Sequence, residues 1–151
     1  MLPVFPTARV IERLREKVPA LRIVEGAAGL IAAEKQKPER LPAAFVIAQE
    51  KADPPKGYSG GVMAQNVNVT VVVVLFVSHA AKANTGAAAQ GELDELHGLV
   101  RGALTNWKPM PAGSATALHF LATDNEAFAA GSQQGQAAYG MNYTMQQGAN
   151  P

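Results

Sequence analysis

Gln65-Asn66-Val67-Asn68-Val69-Thr70-Val71-Val72-Val73-Val74-Leu75-Phe76-Val77-Ser78-His79 is the stretch that decides the fold. Val67, Val69, Val71, Val73, Leu75 and Val77 recur at period two and so share one face of a strand. The other face changes character along its length: Asn66, Asn68 and Thr70 are polar, whereas Val72, Val74 and Phe76 are apolar. The strand should therefore be covered on one side in its first half and on both sides in its second. At about 3.3 Å per residue its 15 positions extend about 50 Å, more than double a typical strand. Such a strand must project beyond its domain or run the full height of a sheet.

Upstream, Val10, Ile11, Leu14 and Val18 fall at helical spacing among Arg9, Glu12, Arg13, Arg15, Glu16 and Lys17. This is a surface helix with one buried stripe, with Thr7 as its expected N-cap and Pro19 as its stop. Leu21 to Val24 suits a short strand, Gly26 to Lys35 one or two helical turns, and Ala43 to Ala48 a buried strand. Ala52 to Gly61, dense in turn formers, reads as an exposed loop. Downstream, Ala80 to Ala89 is a connector. A second helix is expected from about Gln90 to Asn106, with Leu93, Leu96, Val100, Ala103 and Trp107 as its stripe. Glu92, Asp94 and Glu95 then fall in its first turn, and Pro109 and Pro111 close it. Thr116 to Thr123 reads as a strand, Asp124-Asn125 as a turn, Glu126 to Ala130 as a further strand and Gly131 to Gly135 as a second turn. Tyr139, Met141, Tyr143 and Met145 give a last strand an aromatic and methionine face. The expected fold is α+β: a mixed or antiparallel sheet with one long central strand, packed by two main helices, as a single domain over residues 1–151.

The 151 residues carry 13 basic and 12 acidic side chains, are 48% hydrophobic and only 17% charged, and include no cysteine. A charged fraction well below the usual one quarter leaves surface suited to burial against other chains. A net charge of +1 supplies no general pull toward nucleic acid, anionic membrane or acidic substrate. Without cysteine there are no disulfides, thiolate zinc sites or thiol nucleophiles. The apolar run from Val71 to Val77 is far short of a membrane span, and the opening Met-Leu-Pro-Val-Phe-Pro has no basic cluster followed by an apolar segment, so a soluble protein made in the cytoplasm is expected.

No motif supplies catalytic chemistry. Gly57-Tyr58-Ser59-Gly60-Gly61 matches the G-x-S-x-G nucleophile elbow, but that device needs a buried strand before the serine and a helix after it, and Asp53-Pro54-Pro55-Lys56 precedes it here. His79, His97 and His119 show none of the paired spacings that put two imidazoles on one metal. Glu92, Asp94 and Glu95 read as helix-start chemistry rather than an acid and base pair. The glycosylation sequons at Asn68 and Asn142 need a secretory signal to matter. Basic residues gather in the first 40 positions, but Glu12, Glu16, Glu25, Glu34 and Glu39 dilute them and no aromatics interleave, so a solvated or inter-subunit face fits better than a nucleic-acid platform. No catalytic, cofactor or metal residues are expected.

The chain resembles the tail terminator, or tail completion, proteins of long-tailed bacteriophages. The resemblance runs through the Ala8 to Leu14 helix, Val18-Pro19-Ala20-Leu21 to Gly26-Ala27-Ala28, and Leu41-Pro42-Ala43-Ala44-Phe45-Val46. It continues through the valine strand, Leu96 to Leu104 leading into Trp107-Lys108-Pro109, and Leu118-His119-Phe120. It implies a virion structural protein assembled in the host bacterial cytoplasm: a ring, usually a hexamer, at the head-proximal end of the tail tube. Such a ring stops tube polymerisation and meets the head-completion or head-tail connector protein, while DNA traverses its lumen without specific binding. No membrane is involved. Another head-tail connector or neck ring subunit is the alternative reading, and a small hydrolase using Ser59 a more distant one. The residues expected at contacts with neighbours or the tube are Asp53, Pro54, Lys56, Tyr58 and Ser59 in the first loop, Asn66, Asn68 and Thr70 on the strand, and Lys82 and Asn84 in the connector.

Overall fold

A computed structural model describes residues 1–56, 58–59, 61–78, 87–111, 113–127 and 132–150. In chain order the elements are α1 (Thr7–Lys17), β1 (Ile23–Glu25), α2 (Ala27–Lys35), β2 (Ala43–Ala52), β3 (Tyr58–Ser59), β4 (Val62–Ser78), α3 (Ala87–Leu104), β5 (His119–Ala127) and β6 (Ser132–Gly148). The strands form a mixed sheet in the order β1-β2-β4-β6-β5, with β3 paired to β4. β1 runs parallel to β2 and the remaining pairings are antiparallel. The fold is α+β, with the valine strand at the centre of the sheet.

β4 is two residues longer than the 15-residue run that marks it, spanning 17 residues, and it pairs with β6 over its whole length, from Val62 opposite Gly148 to Ser78 opposite Ser132. Its odd-numbered residues make the front face of the sheet. There Val71, Val73, Leu75 and Val77 are completely buried in one core with Val10 and Leu14 of α1, Leu93, Leu96 and Val100 of α3, and Tyr139, Met141 and Tyr143 of β6. Each such buried aliphatic side chain contributes about 1.5–3 kcal/mol. On the back face α2 covers only one end: Leu30 and Ala33 pack with Ala43, Phe45, Val74 and Phe76 in a second, smaller core. Phe45 and Phe76 meet edge to face with ring centroids 5.5 Å apart.

Helix ends follow local chemistry that the residue pattern locates only in part. Thr7 is the first helical residue rather than the cap; Pro6 occupies the cap position and no side chain caps the helix. Val18, which precedes a proline, leaves the helical region (φ −126°, ψ 69°) and closes α1. α3 begins at Ala87, so Ala87 to Ala89 are helix rather than connector and Glu92, Asp94 and Glu95 lie beyond the first turn. It ends at Leu104, before its prolines, because Asn106 takes a left-handed conformation (φ 62°) and its N–H turns to the Leu118 carbonyl, 2.8 Å away.

Two expected turns are strand. Asp124 and Asn125 pair with Gln136 and Gly135, so β5 runs straight through them, with a bulge at Leu121. Residues 132–135 pair with Ser78 to Leu75 and belong to β6. Long pairing outweighs local turn propensity at these positions, with β6 as the partner of edge strand β5 and β4 and β5 flanking β6. Of the strand expected over Glu126 to Ala130, Glu126 and Ala127 continue β5 and residues 128–130 lie outside the described residues, as do Lys82, Asn84 and His79.

Candidate assembly surface

Ala52 to Gly61, expected as an exposed loop, is for the most part the end of a β-hairpin. After β2 the Asp53 N–H donates to the Asn66 carbonyl (2.8 Å) and the Lys56 N–H to the Ala64 carbonyl (3.0 Å), and β3 then pairs with Val62 and Met63. Gly61, at φ 78°, makes the return that other residues rarely adopt. On the far side of β4, Val62–Asn66 pairs with Thr144–Gly148. None of the described side chains from Gly61 to Asn66 or from Thr144 to Asn150 is buried. Three strands thus leave the core together as an arm.

Asp53 fixes the base of this arm. Its carboxylate accepts hydrogen bonds from the Asn66 and Asn68 side-chain amides, each at 3.0 Å, and its carbonyl accepts one from the Gln65 amide at 3.2 Å. Asn66 also donates to Asn68 Oδ1 at 3.2 Å. The aspartate and two asparagines expected at contacts therefore share one network. Thr70 lies on the same sheet face but farther along β4, and Pro54 and Lys56 are exposed on the arm's outer strand. Tyr58 and Ser59 sit in β3, followed by Gly61 and β4 rather than a helix, so the strand-turn-helix setting of a nucleophile elbow is not present at Ser59.

Beside α2 the back face is open. A groove of about 200 Å³ has Leu30, Ile47, Val72 and Val74 as its apolar floor and Gln49, Thr70, Gln134 and Gln136 as amide and hydroxyl edges, with Glu34 its one charge. Val72 and Ile47 are only half-buried. Farther along the same face Asn68 stands opposite Asn142 and Asn66 opposite Thr144. The β4 and β6 parts of this back surface and of the arm fall within the two stretches Gly57 to Ala81 and Ala127 to Pro151, which contain no Asp, Glu, Lys or Arg, whereas the β2 side contributes Lys51 opposite Asn68, then Asp53 and Lys56. The edge of β6 past β5 is closed by Thr116, whose N–H donates to the Asn142 carbonyl (2.9 Å), and by Ser114, whose hydroxyl accepts from the Thr144 N–H (3.1 Å).

Helix charge is spent on the chain's own backbone, which no pattern of residue types announces. Arg9 donates to the Pro109 carbonyl (2.8 Å), Arg13 Nε to the Ala103 carbonyl in the last turn of α3 (3.0 Å) and Arg15 to the Val24 carbonyl (2.7 Å). Arg13 also lies over the Trp107 ring, 5.1 Å from its centroid. The only ion pair among the described residues is Lys17 with Glu16. The face read as solvated or inter-subunit thus includes the ties that dock α1 on α3. A second tie holds the N-terminal segment: Glu50 Oε1 accepts from Tyr143 Oη (2.5 Å) and from the Phe5 N–H (2.9 Å).

The titratable groups the fold buries are structural. His97 faces the front core, with Nε2 2.9 Å from Asn125 Oδ1, whereas His119 lies on the back face over Gly140, so the two do not converge. Burial lowers the His97 pKa, reinforced by Arg101 and opposed by the Asn125 bond and Asp94. Burial raises Tyr139 to about 12 against the opposing influence of Arg101, and burial together with the Glu50 bond and charge raises Tyr143. Among the described residues no group of three or more His, Asp or Glu side chains could hold a metal, and no helix is long and apolar enough to cross a membrane.

Comparison with known proteins gives one decisive match. No curated protein matches the chain. One solved chain is similar over 95% of this chain and 92% of its own at 13% identity, but its TM-score of 0.36 carries no argument. The family model for phage tail terminator proteins matches residues 1–150. That family's members are structural proteins of the bacteriophage tail, with which an arm and a charge-poor sheet face agree better than any reactive centre. The chain belongs to the phage tail terminator protein family.

Proposed function

We propose that this chain forms a ring, a hexamer in the usual arrangement, on the head-proximal end of the tail tube. The ring stops tube polymerisation and presents its opposite side to the head-completion or connector protein. The observation that carries this reading is the arm: three strands that leave the core, beside a back face left open by α2. A closed ring requires two different, mutually complementary patches on each subunit, and a projecting arm with a separate groove supplies such a pair. Near-neutral charge suits a lumen through which DNA passes without being held, because a strongly basic channel would retain phosphates. Capping follows if one side of the ring matches the tube end and the other lacks a surface on which tube subunits add.

Light scattering on size-exclusion fractions, with negative-stain imaging in the presence and absence of tube protein, tests the ring directly. A particle lacking the chain should grow overlong tails; normal tails detached from heads would assign it to the connector instead. A strict monomer at high concentration that also forms no ring with tube protein overturns the proposal.

A further inference from the structure

We infer that the groove beside α2 receives the arm of a second copy of this chain, front of arm against back of sheet. This inference rests on the ring reading and names the two surfaces that close it. The groove is unfilled in the single chain: its floor residues Ile47 and Val72 keep part of their apolar surface exposed, and its edges are amides. The front of the arm has the same chemistry. Past the helices, β4 and β6 present Met63 and Gln65 beside Gln147 and Met145, the last partly packed against the front core, so that thioethers interleave with amides. Methionine packs into irregular apolar floors, and amides serve both as donors and acceptors, so each surface meets its own kind.

Charge fixes the occupant and its orientation. Asp53 at the arm's base is held by the Asn66 and Asn68 amides, which leaves Lys56 as the arm's outward cation, and the groove carries one anion, Glu34. Both are exposed, and neither is in an ion pair among the described residues. Lys56 cannot reach Glu34 within one chain, because the arm leaves the sheet at the end opposite to the one α2 covers. Between copies the two come together when the arm lies along the groove. A front-to-back contact is heterologous, so it builds a ring when its rotation closes and never a two-fold dimer.

Reversing either charge places like charges across the contact, and the reciprocal double reversal restores the pair. Light scattering over a concentration series, with tube protein present where the ring needs it, is the readout. Glu34→Lys and Lys56→Glu should each raise the concentration for half-assembly about tenfold, and the double variant should return it to the parent value. The absence of cysteine permits a second measurement. In the variant Met63→Cys with Gln136→Cys the two thiols lie about 36 Å apart along one ribbon, since Gln136 pairs with Val74, eleven residues from Met63. Any bridge therefore joins two copies, and mild oxidation should give a ladder up to the closed ring. Assembled parent protein with indifferent single reversals and no ladder overturns the arm-in-groove contact and leaves the ring. Cross-links to tube protein alone overturn it in favour of that partner, and a parent that never assembles overturns both.

Discussion

Replacing Gly135 by alanine puts one methyl group where three elements meet. A Cβ at this position would stand 2.8 Å from His97 Nε2 and 2.9 Å from Leu93 Cδ2, and would run into Asn125 Oδ1. None of these can retreat freely, since Leu93 is completely buried, His97 is 4% exposed, and Asn125 sits on a paired strand. Overpacking of this kind costs about 1–3 kcal/mol. Parting His97 from Asn125 leaves a buried imidazole nitrogen without a partner, which costs about 1–3 kcal/mol more. The expected loss is about 2–6 kcal/mol, which for a chain of this size lowers Tm by roughly 5–20 °C. Urea unfolding followed by circular dichroism, at fixed protein concentration because assembly would add its own stabilisation, measures it. Repeating the substitution in a His97→Ala background should recover at least about 1 kcal/mol, as neighbours in one contact are not additive. A Gly135→Ala variant within about 0.5 kcal/mol of the parent, or one whose cost is unchanged by His97→Ala, would refute the packing argument.

Three further outcomes follow from the same contacts. Tyr143→Phe removes the hydroxyl that donates to Glu50 and should cost about 1 kcal/mol while exposing the N-terminal segment to limited proteolysis, since Glu50 then holds only the Phe5 N–H. Arg13→Ala loses a hydrogen bond to the end of α3 and the stacking on Trp107; at about 1 kcal/mol it should also shift the emission of the chain's single tryptophan to the red. Stability should fall at both ends of the pH range. The lowered folded pKa of His97 means the unfolded chain binds the extra proton, so stability is full above pH 6.5 and is lost as pH falls below it. The raised folded pKa values of Tyr139 and Tyr143 mean the folded chain keeps its protons longer, so stability is full below pH 10 and is lost between there and about pH 12. Denaturant midpoints that stay flat from pH 7 to 5 and from pH 10 to 11.5 would contradict these assignments.

What the residue pattern could reveal depended on how far each contact reaches along the chain. Period-two valines locate β4 and choose its buried face without help, because side-chain alternation is a property of one strand. The same holds for the α1 and α3 stripes. Asp124-Asn125 and Gly131 to Gly135 mislead for the opposite reason: their turn chemistry is local, while the pairings that straighten the described residues among them belong to the β5 and β6 ladders. Asp53 was visible as a polar residue in a turn-rich stretch, yet its tie to Asn66 and Asn68 exists only because β2 and β4 run antiparallel in one particular register. Gly135 shows the limit most clearly. In the sequence it is one more glycine among glutamines, and its meaning comes from His97 and Asn125, 38 and 10 residues away, closing over the place where a side chain would be. An arm and a groove on one chain are likewise invisible as a pair until the sheet sets them at opposite ends. On the proposed ring reading that separation matters, because complementary patches too far apart to meet within one subunit are left for the next.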